Sequence, residues 1–180
     1  MKKRVLCLLV EGFEEIETVT PVDLLRRAGA EVILAAMKEG MHVTGRSGIV
    51  VKADARLDEF DVHGFDALLI PGGPAVKALR ADGRPATLAK TFAVDGKLVA
   101  SICAGPLVLH DAGLLTGKRY TAHDSTYEEL TQALAHDRVV EDGNLITSRG
   151  AGTALDFGLA LVKYLFGTEE AEKVAKAVMA

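Results

Sequence analysis

Short apolar runs of strand length alternate along this chain with longer helical stretches, and that alternation restricts the fold more than any other feature. The runs are Val5 to Val10, Glu31 to Met37, Phe65 to Ile70 and Leu98 to Ser101, each rich in Val, Ile, Leu or Ala. Strands apolar on both faces belong to a largely parallel sheet covered by helices on each side. The intervening segments supply those helices. One runs from about Glu14 to Ala28 and stops at Gly29; Pro21 is expected to kink it, or to restart it with Thr20 as N-cap. A short helix follows Pro71-Gly72-Gly73-Pro74, another spans Pro85 to Val94, and a third follows Cys103 and is closed by Gly113.

Residues 40–54, where Gly40, Gly45 and Gly48 punctuate β-branched residues, read as a small hairpin or edge excursion. Further on, Arg119 to Ala122 reads as a short strand leading to His123. Ser125 to Ala135 reads as a helix with Glu128 and Glu129 in its first turn. Val139 to Ser148 reads as a hairpin turned by Asp142-Gly143-Asn144. Gly150-Ala151-Gly152-Thr153 opens a long apolar helix to about Phe166, and Thr168 caps a final amphipathic one. The expected architecture is one domain over residues 1–180, a flavodoxin-like three-layer α/β sandwich.

A net charge of −4 without Lys/Arg clusters argues against nucleic acid or an anionic membrane as partner. The two cysteines, Cys7 and Cys103, make a disulfide framework implausible, and no Cys/His spacing resembles a metal site. Met1-Lys-Lys-Arg4 and the run after it superficially suggest a signal peptide. That run ends at Glu11 with no small-residue cleavage site, so a cytoplasmic location is expected.

Cys103 is the leading candidate for chemistry. It sits in a tight turn between a strand and a helix, where open α/β sheets place their ligands. Helical amides and the helix dipole aimed at its sulfur would favour the thiolate. Most free cysteines are inert core residues, and Cys7, in mid-strand, reads as one. Glu14 and Glu15 read as acidic residues favouring the dipole of a first helical turn. Glu17, in contrast, aligns at helical spacing with the apolar positions Pro21, Leu24 and Ala28. A carboxyl on that stripe is desolvated, holds its proton toward neutrality, and can donate it to a thiolate.

The glycines of Pro71-Gly72-Gly73-Pro74 can serve as a plain turn or as oxyanion donors, because no side chain blocks approach to their amides. His123 is singled out among the histidines because it ends a predicted strand on the sheet edge that carries Cys103. His42, His63, His110 and His136 read as solvated or packing residues. The Gly150-Ala151-Gly152-Thr153 helix start could bind an anion, but it lacks the third glycine of a dinucleotide fingerprint.

Four stretches in order resemble the DJ-one/ThiJ/PfpI superfamily, and its DJ-one/ThiJ branch in particular. They are Glu11 to Gly29, Leu69-Ile70-Pro71-Gly72-Gly73, Ala100-Ser101-Ile102-Cys103-Ala104-Gly105-Pro106 and Thr147 to Thr153. The resemblance implies a flavodoxin-like fold, a homodimer and no cofactor. It maps a reactive, readily oxidised cysteine onto Cys103, a protonated glutamate onto Glu17 and a nearby histidine onto His123. Gly72, Gly73 and Ala104 take the place of oxyanion amides, and Arg46 that of an arginine approaching across the dimer interface. The peptidase branch has a histidine directly after the cysteine; here that residue is Ala104, which argues against proteolysis. Two functions follow as expectations. One is an enzyme acting on methylglyoxal, glyoxal or their adducts, of the glyoxalase or deglycase type. The other is a peroxide-responsive sensor or holdase chaperone using the same cysteine.

Overall fold

A computed structural model describes residues 2–59 and 61–180. The strands are β1 (Arg4–Leu9), β2 (Glu31–Ala36), the hairpin pair β3 (His42–Thr44) and β4 (Val50–Lys52), β5 (Ala55–Arg56), β6 (Ala67–Ile70) and β7 (Leu98–Ile102). They are followed by β8 (Val139–Asp142) and β9 (Leu145–Ser148). A seven-stranded sheet runs β5-β2-β1-β6-β7-β9-β8, and every pairing is parallel except β8 with β9. The β3–β4 hairpin stands apart as its own antiparallel pair.

Helices cover both faces, as strands buried on both sides require. The helices are α1 (Glu15–Arg27), α2 (Val76–Asp82), α3 (Arg84–Val94), α4 (Pro106–Asp111), α5 (Ala154–Phe166) and α6 (Thr168–Ala177). Helix α1 packs on α5 and α5 on α6, whereas α2, α3 and α4 pack on one another. This is the three-layer, flavodoxin-like sandwich. Phe13, Phe65, Phe92 and Phe157 are its largest fully buried side chains. The α1–α5 contact is close because position 158 is glycine: a methyl group there would lie 3.0 Å from Pro21 Cα and would also strike Leu24. No helix among the described residues is long and apolar enough to cross a membrane.

Four local expectations fail; in one, Thr168 is the first residue of α6 and Gly167, not Thr168, stands at its N-cap. Helix α1 is continuous through Pro21, with Glu14 rather than Thr20 as N-cap. Its buried face, including Glu17, Pro21, Leu24 and Leu25, is held against the core, and packing outweighs the one hydrogen bond that proline forfeits. Arg119–Ala122 forms no strand. Thr121 N–H donates to the Thr147 side chain (2.9 Å) instead of to a backbone ladder, and Thr121 Oγ1 donates to the Leu134 carbonyl (2.8 Å). Ser125–Ala135 is not a helix but a 3₁₀ turn (Asp124–Thr126) followed by turns. The segment is folded back on itself by Leu134 N–H bonding to the Tyr120 carbonyl, a long-range tie that the local helix signals cannot overcome.

Candidate active site

Strand β7 delivers Cys103 to the C-terminal edge of the sheet, and the chain then turns sharply. Cys103 has φ 62, in the left-handed region that costs a side-chain-bearing residue on the order of 1 kcal/mol or more. Its backbone is fixed on both sides: its N–H donates to Ser148 O (2.9 Å), and its carbonyl accepts from His123 N–H (2.9 Å). The strained turn leaves the sulfur at the head of α4, half-buried.

Glu17 is 1% exposed and meets this turn from the first turn of α1. Its carboxyl is hydrogen-bonded to the Cys103 thiol, and its Oε2 accepts from Gly72 N–H at 3.1 Å. Glu14, also buried, fixes Glu17 in place: Glu14 Oε2 accepts the Glu17 N–H at 2.7 Å, and Glu14 N–H donates to Gly72 O at 3.2 Å. Burial raises Glu17 to about 7; the Glu14 charge adds to the rise, while the bond to Cys103, the Gly72 amide and Arg46 oppose it. The raised carboxyl is the one expected from the apolar stripe.

The sulfur behaves differently from expectation. Burial and the facing Glu17 carboxyl push the Cys103 thiol up to about 12, and the Gly73 and Ala104 amides pull it down without prevailing. Helix α4 has only six residues, so its dipole is small against the loss of water. The thiol therefore rests protonated and needs a proton acceptor. Glu17 touches it and, near neutrality, is poised to take that proton; the two groups titrate as a pair.

The glycine loop between β6 and α2 divides its duties. The Gly72 amide, expected as an oxyanion donor, donates here to Glu17 Oε2 at 3.1 Å. The Gly73 and Ala104 amides are the two that face the sulfur. Position 72 must be glycine for space: a methyl group there would lie 2.7 Å from Cys103 Cβ and 2.9 Å from Ile102 O. Gly73 has φ 89, which only glycine adopts cheaply.

His123 sits beside Cys103 through its backbone. Its Nδ1 lies 2.9 Å from Ser125 Oγ, accepts the Ser125 N–H at 3.2 Å, and is 3.0 Å from Asp124 Oδ1. The Ser125 N–H only donates and the Asp124 carboxylate only accepts, so the two neighbours of Nδ1 ask for opposite tautomers of the ring. Arg46 is exposed on the loop between β3 and β4, yet its charge reaches Glu17 within the same chain. Among these residues, reading the sequence missed the role of Glu14. The available signal was its three-residue spacing from Glu17, at which an N-cap carboxylate receives an amide.

Comparison with known proteins gives this geometry a lineage. The DJ-1/PfpI family profile matches residues 3–164. The chain belongs to the DJ-1/PfpI family. It is 37% identical over 179 residues to DJ-1 homolog B of Arabidopsis thaliana, covering 98% of this chain but only 41% of that longer protein. It is 36% identical to a deglycase of Thermococcus kodakarensis, over 90% of this chain and 99% of that one. It is 41% identical to Bacillus subtilis YraA, whose name carries a provisional cysteine protease label, over 83% and 90% of the two chains. The crystal structure of Drosophila melanogaster DJ-1beta superposes with a TM-score of 0.95 at 35% identity, covering 100% of this chain and 99% of that one.

Proposed function

We propose that the protein is a cofactor-free enzyme that uses Cys103 to convert methylglyoxal and glyoxal, free or as early adducts, into hydroxy acids. The observation that carries this reading is the contact of the Cys103 thiol with Glu17 on one side and with the Gly73 and Ala104 amides on the other. The Thermococcus relative is named a deglycase, which supports an enzyme of that type.

The chemistry follows from the geometry. Glu17 takes the thiol proton as sulfur bonds to the aldehyde carbon, and the Gly73 and Ala104 amides hold the oxyanion that forms. Glu17 returns the proton to give a neutral hemithioacetal. It then removes the hydrogen on that carbon, the electron pair passing to the neighbouring carbonyl oxygen, and delivers that proton to the adjacent carbon while the hydroxyl proton of the hemithioacetal passes to the oxygen that gained the charge. The product is a Cys103 thioester, which water cleaves to the hydroxy acid and the free thiol. The reaction consumes one water and no oxidant. Between Glu17 and His123 as proton carrier, the burial of Glu17 against the thiol and its value of about 7 favour Glu17. Proteolysis is disfavoured because the peptidase branch that the family resemblance points to carries a histidine directly after the nucleophile, and that residue here is Ala104.

The test is hydroxy-acid formation from methylglyoxal without glutathione, comparing reduced protein with Cys103→Ser and Glu17→Gln. Turnover that survives Cys103→Ser would reject the reading. The same donors around sulfur favour a second role, peroxide sensing, with an attached holdase function as its consequence. Two-step oxidation to sulfinate would place its oxygens against the Glu17 proton and the loop amides. Cys7 is buried in β1, where it cannot resolve a disulfide. Intact mass after mild peroxide should show oxygen added at Cys103; an unchanged mass would discard this role. A homodimer and a cytoplasmic location complete the proposal. The dimer is supported by exposed Ile16, Val19, Ile49 and Val50 and by the buried, unpartnered Oε2 of Glu15 among them.

A further inference from the structure

A cavity of about 580 Å³, sized for a small ligand, opens on the β9 side of the nucleophile. His123 and Arg149 line it together with Arg138 and the Gly150–Thr153 turn, the motif that the cysteine chemistry leaves unused. Its position relative to Cys103 is fixed by the sheet. Ser148 pairs with Ile102 and accepts the Cys103 N–H, so the backbone of Arg149, the next residue, lies beside that of Cys103 across the ladder, and His123, whose N–H donates to Cys103 O, joins the cavity to the turn. Gly150 backs directly onto the His123 ring, where a methyl group would lie 3.4 Å from Cδ2.

The formal charges around this cavity balance once Asp156 is counted, but they are not all paired. Arg138 is neutralised by Asp156 at 2.6 Å and also bonds Gly152 O at 3.0 Å. Asp124 lies 3.0 Å from His123 Nδ1 and is otherwise mostly in water. Arg149 is half-buried, and its one side-chain hydrogen bond is Nη1 to Ala135 O at 3.2 Å. Among the described residues it forms no ion pair. A guanidinium keeps its charge and offers five donors in a planar fork, so partial burial against a lone carbonyl leaves most of its bonding capacity unmet. A carboxylate supplies what is missing, with paired, charge-assisted hydrogen bonds.

We propose that Arg149 is a specificity residue, binding a carboxylate on substrates whose reactive carbonyl lies at Cys103. The substrate class, resting on the enzymatic reading above, is oxoaldehydes and aldehyde adducts that carry a carboxylate. Free methylglyoxal and glyoxal leave this subsite unfilled.

The test separates binding from turnover. Levulinate, a keto acid with no aldehyde, and its methyl ester are titrated into the intact protein and followed by NMR shifts. The acid is expected to bind about tenfold tighter than the ester, the low end for a charge-assisted hydrogen bond. The preference persists in Cys103→Ser, collapses in Arg149→Gln and is partly kept in Arg149→Lys, which retains the charge but not the fork. Equal binding of acid and ester to the unaltered protein, or a preference that survives Arg149→Gln, overturns the proposal. In turnover, the kcat/KM ratio of 4,5-dioxovalerate to its methyl ester should fall about tenfold in Arg149→Gln. If no dicarbonyl is turned over but the levulinate preference and its loss are seen, the enzymatic reading fails while the anion site stands.

Discussion

Cys7 and Cys103 lie two strands apart in one parallel sheet, and only one of them is equipped to react. Cys7 sits in the middle of β1, in register with Leu34 on one side and Leu69 on the other. Cys103 lies just past the end of β7, where the chain turns. Burial raises both thiols, so a low intrinsic acidity distinguishes neither. The difference lies in what each sulfur touches. Cys103 has a carboxyl that is itself near half-protonation at neutral pH and two amides facing the sulfur; Cys7 has hydrocarbon. Reactivity here comes from a proton acceptor placed at an opening in the sheet, which a strand interior cannot provide.

The largest expected effect tests that contrast directly. Cys103→Ser should reduce methylglyoxal turnover to the uncatalysed level, while Cys7→Ser should retain turnover and lose about 1–3 kcal/mol of stability through a buried, unpaired hydroxyl. Alkylation of the folded protein, read by peptide mass, should label Cys103 and leave Cys7 unmodified until denaturant is added. Equal labelling of both would erase the comparison.

Glu17→Gln sharpens it next. Turnover should fall about a hundredfold or more, as for loss of a general acid–base group. Stability should move the other way. The folded-state value of about 7 lies above the ordinary 4.5, so the charged form is disfavoured in the fold. That penalty is absent below 4.5, grows as pH rises, and is complete above about 7, where it reaches about 3 kcal/mol. Glu17→Gln should therefore melt higher than the unaltered protein at pH 8, with the gain shrinking as pH falls toward 4.5. A gain that is the same at both ends of that range would show that Glu17 is not held at a raised value.

Gly72→Ala should cost about 1–3 kcal/mol by overpacking, because two of its neighbours are the backbone-fixed Cys103 Cβ and Ile102 O. It should also part Glu17 from the thiol and lower turnover. Chemical denaturation beside the turnover assay checks both effects, and a neutral result would mean that the loop has room to yield.

The parallel strands and most helices were legible because their apolar periodicity and glycine stops are local properties. The site was legible in part for the same reason: Cys103 follows an apolar strand, and Glu17 falls on an apolar stripe. What escaped depends on contacts between distant segments. The 119–135 region carries helix and strand signals, yet Thr121 and Leu134 bind partners that no local pattern reveals. The assignment of Gly73 and not Gly72 to the sulfur rests on one hydrogen bond spanning 55 positions, from Gly72 to Glu17. Thiol acidity was misjudged because a helix dipole can be read from sequence order, whereas desolvation depends on the finished fold.

The smallest effect concerns Arg46, and it decides whose arginine tunes the pair. The family resemblance suggests an arginine that approaches across a dimer interface, whereas in this chain Arg46 acts on its own Glu17. Its charge lowers Glu17, so Arg46→Ala should move the Glu17 midpoint upward, read as a shift of the pH dependence of Cys103 alkylation. Because the side chain is exposed, solvent screens it, and 1 M salt, with a screening length of about 3 Å, should reproduce the shift in the unaltered protein. Dilution separates the two origins. An arginine acting within one chain gives the same profile at any protein concentration. A profile that moves toward the Arg46→Ala curve as copies dissociate would assign the charge to a second copy, and would make the Cys103 site, unlike the Cys7 strand, a property of the dimer.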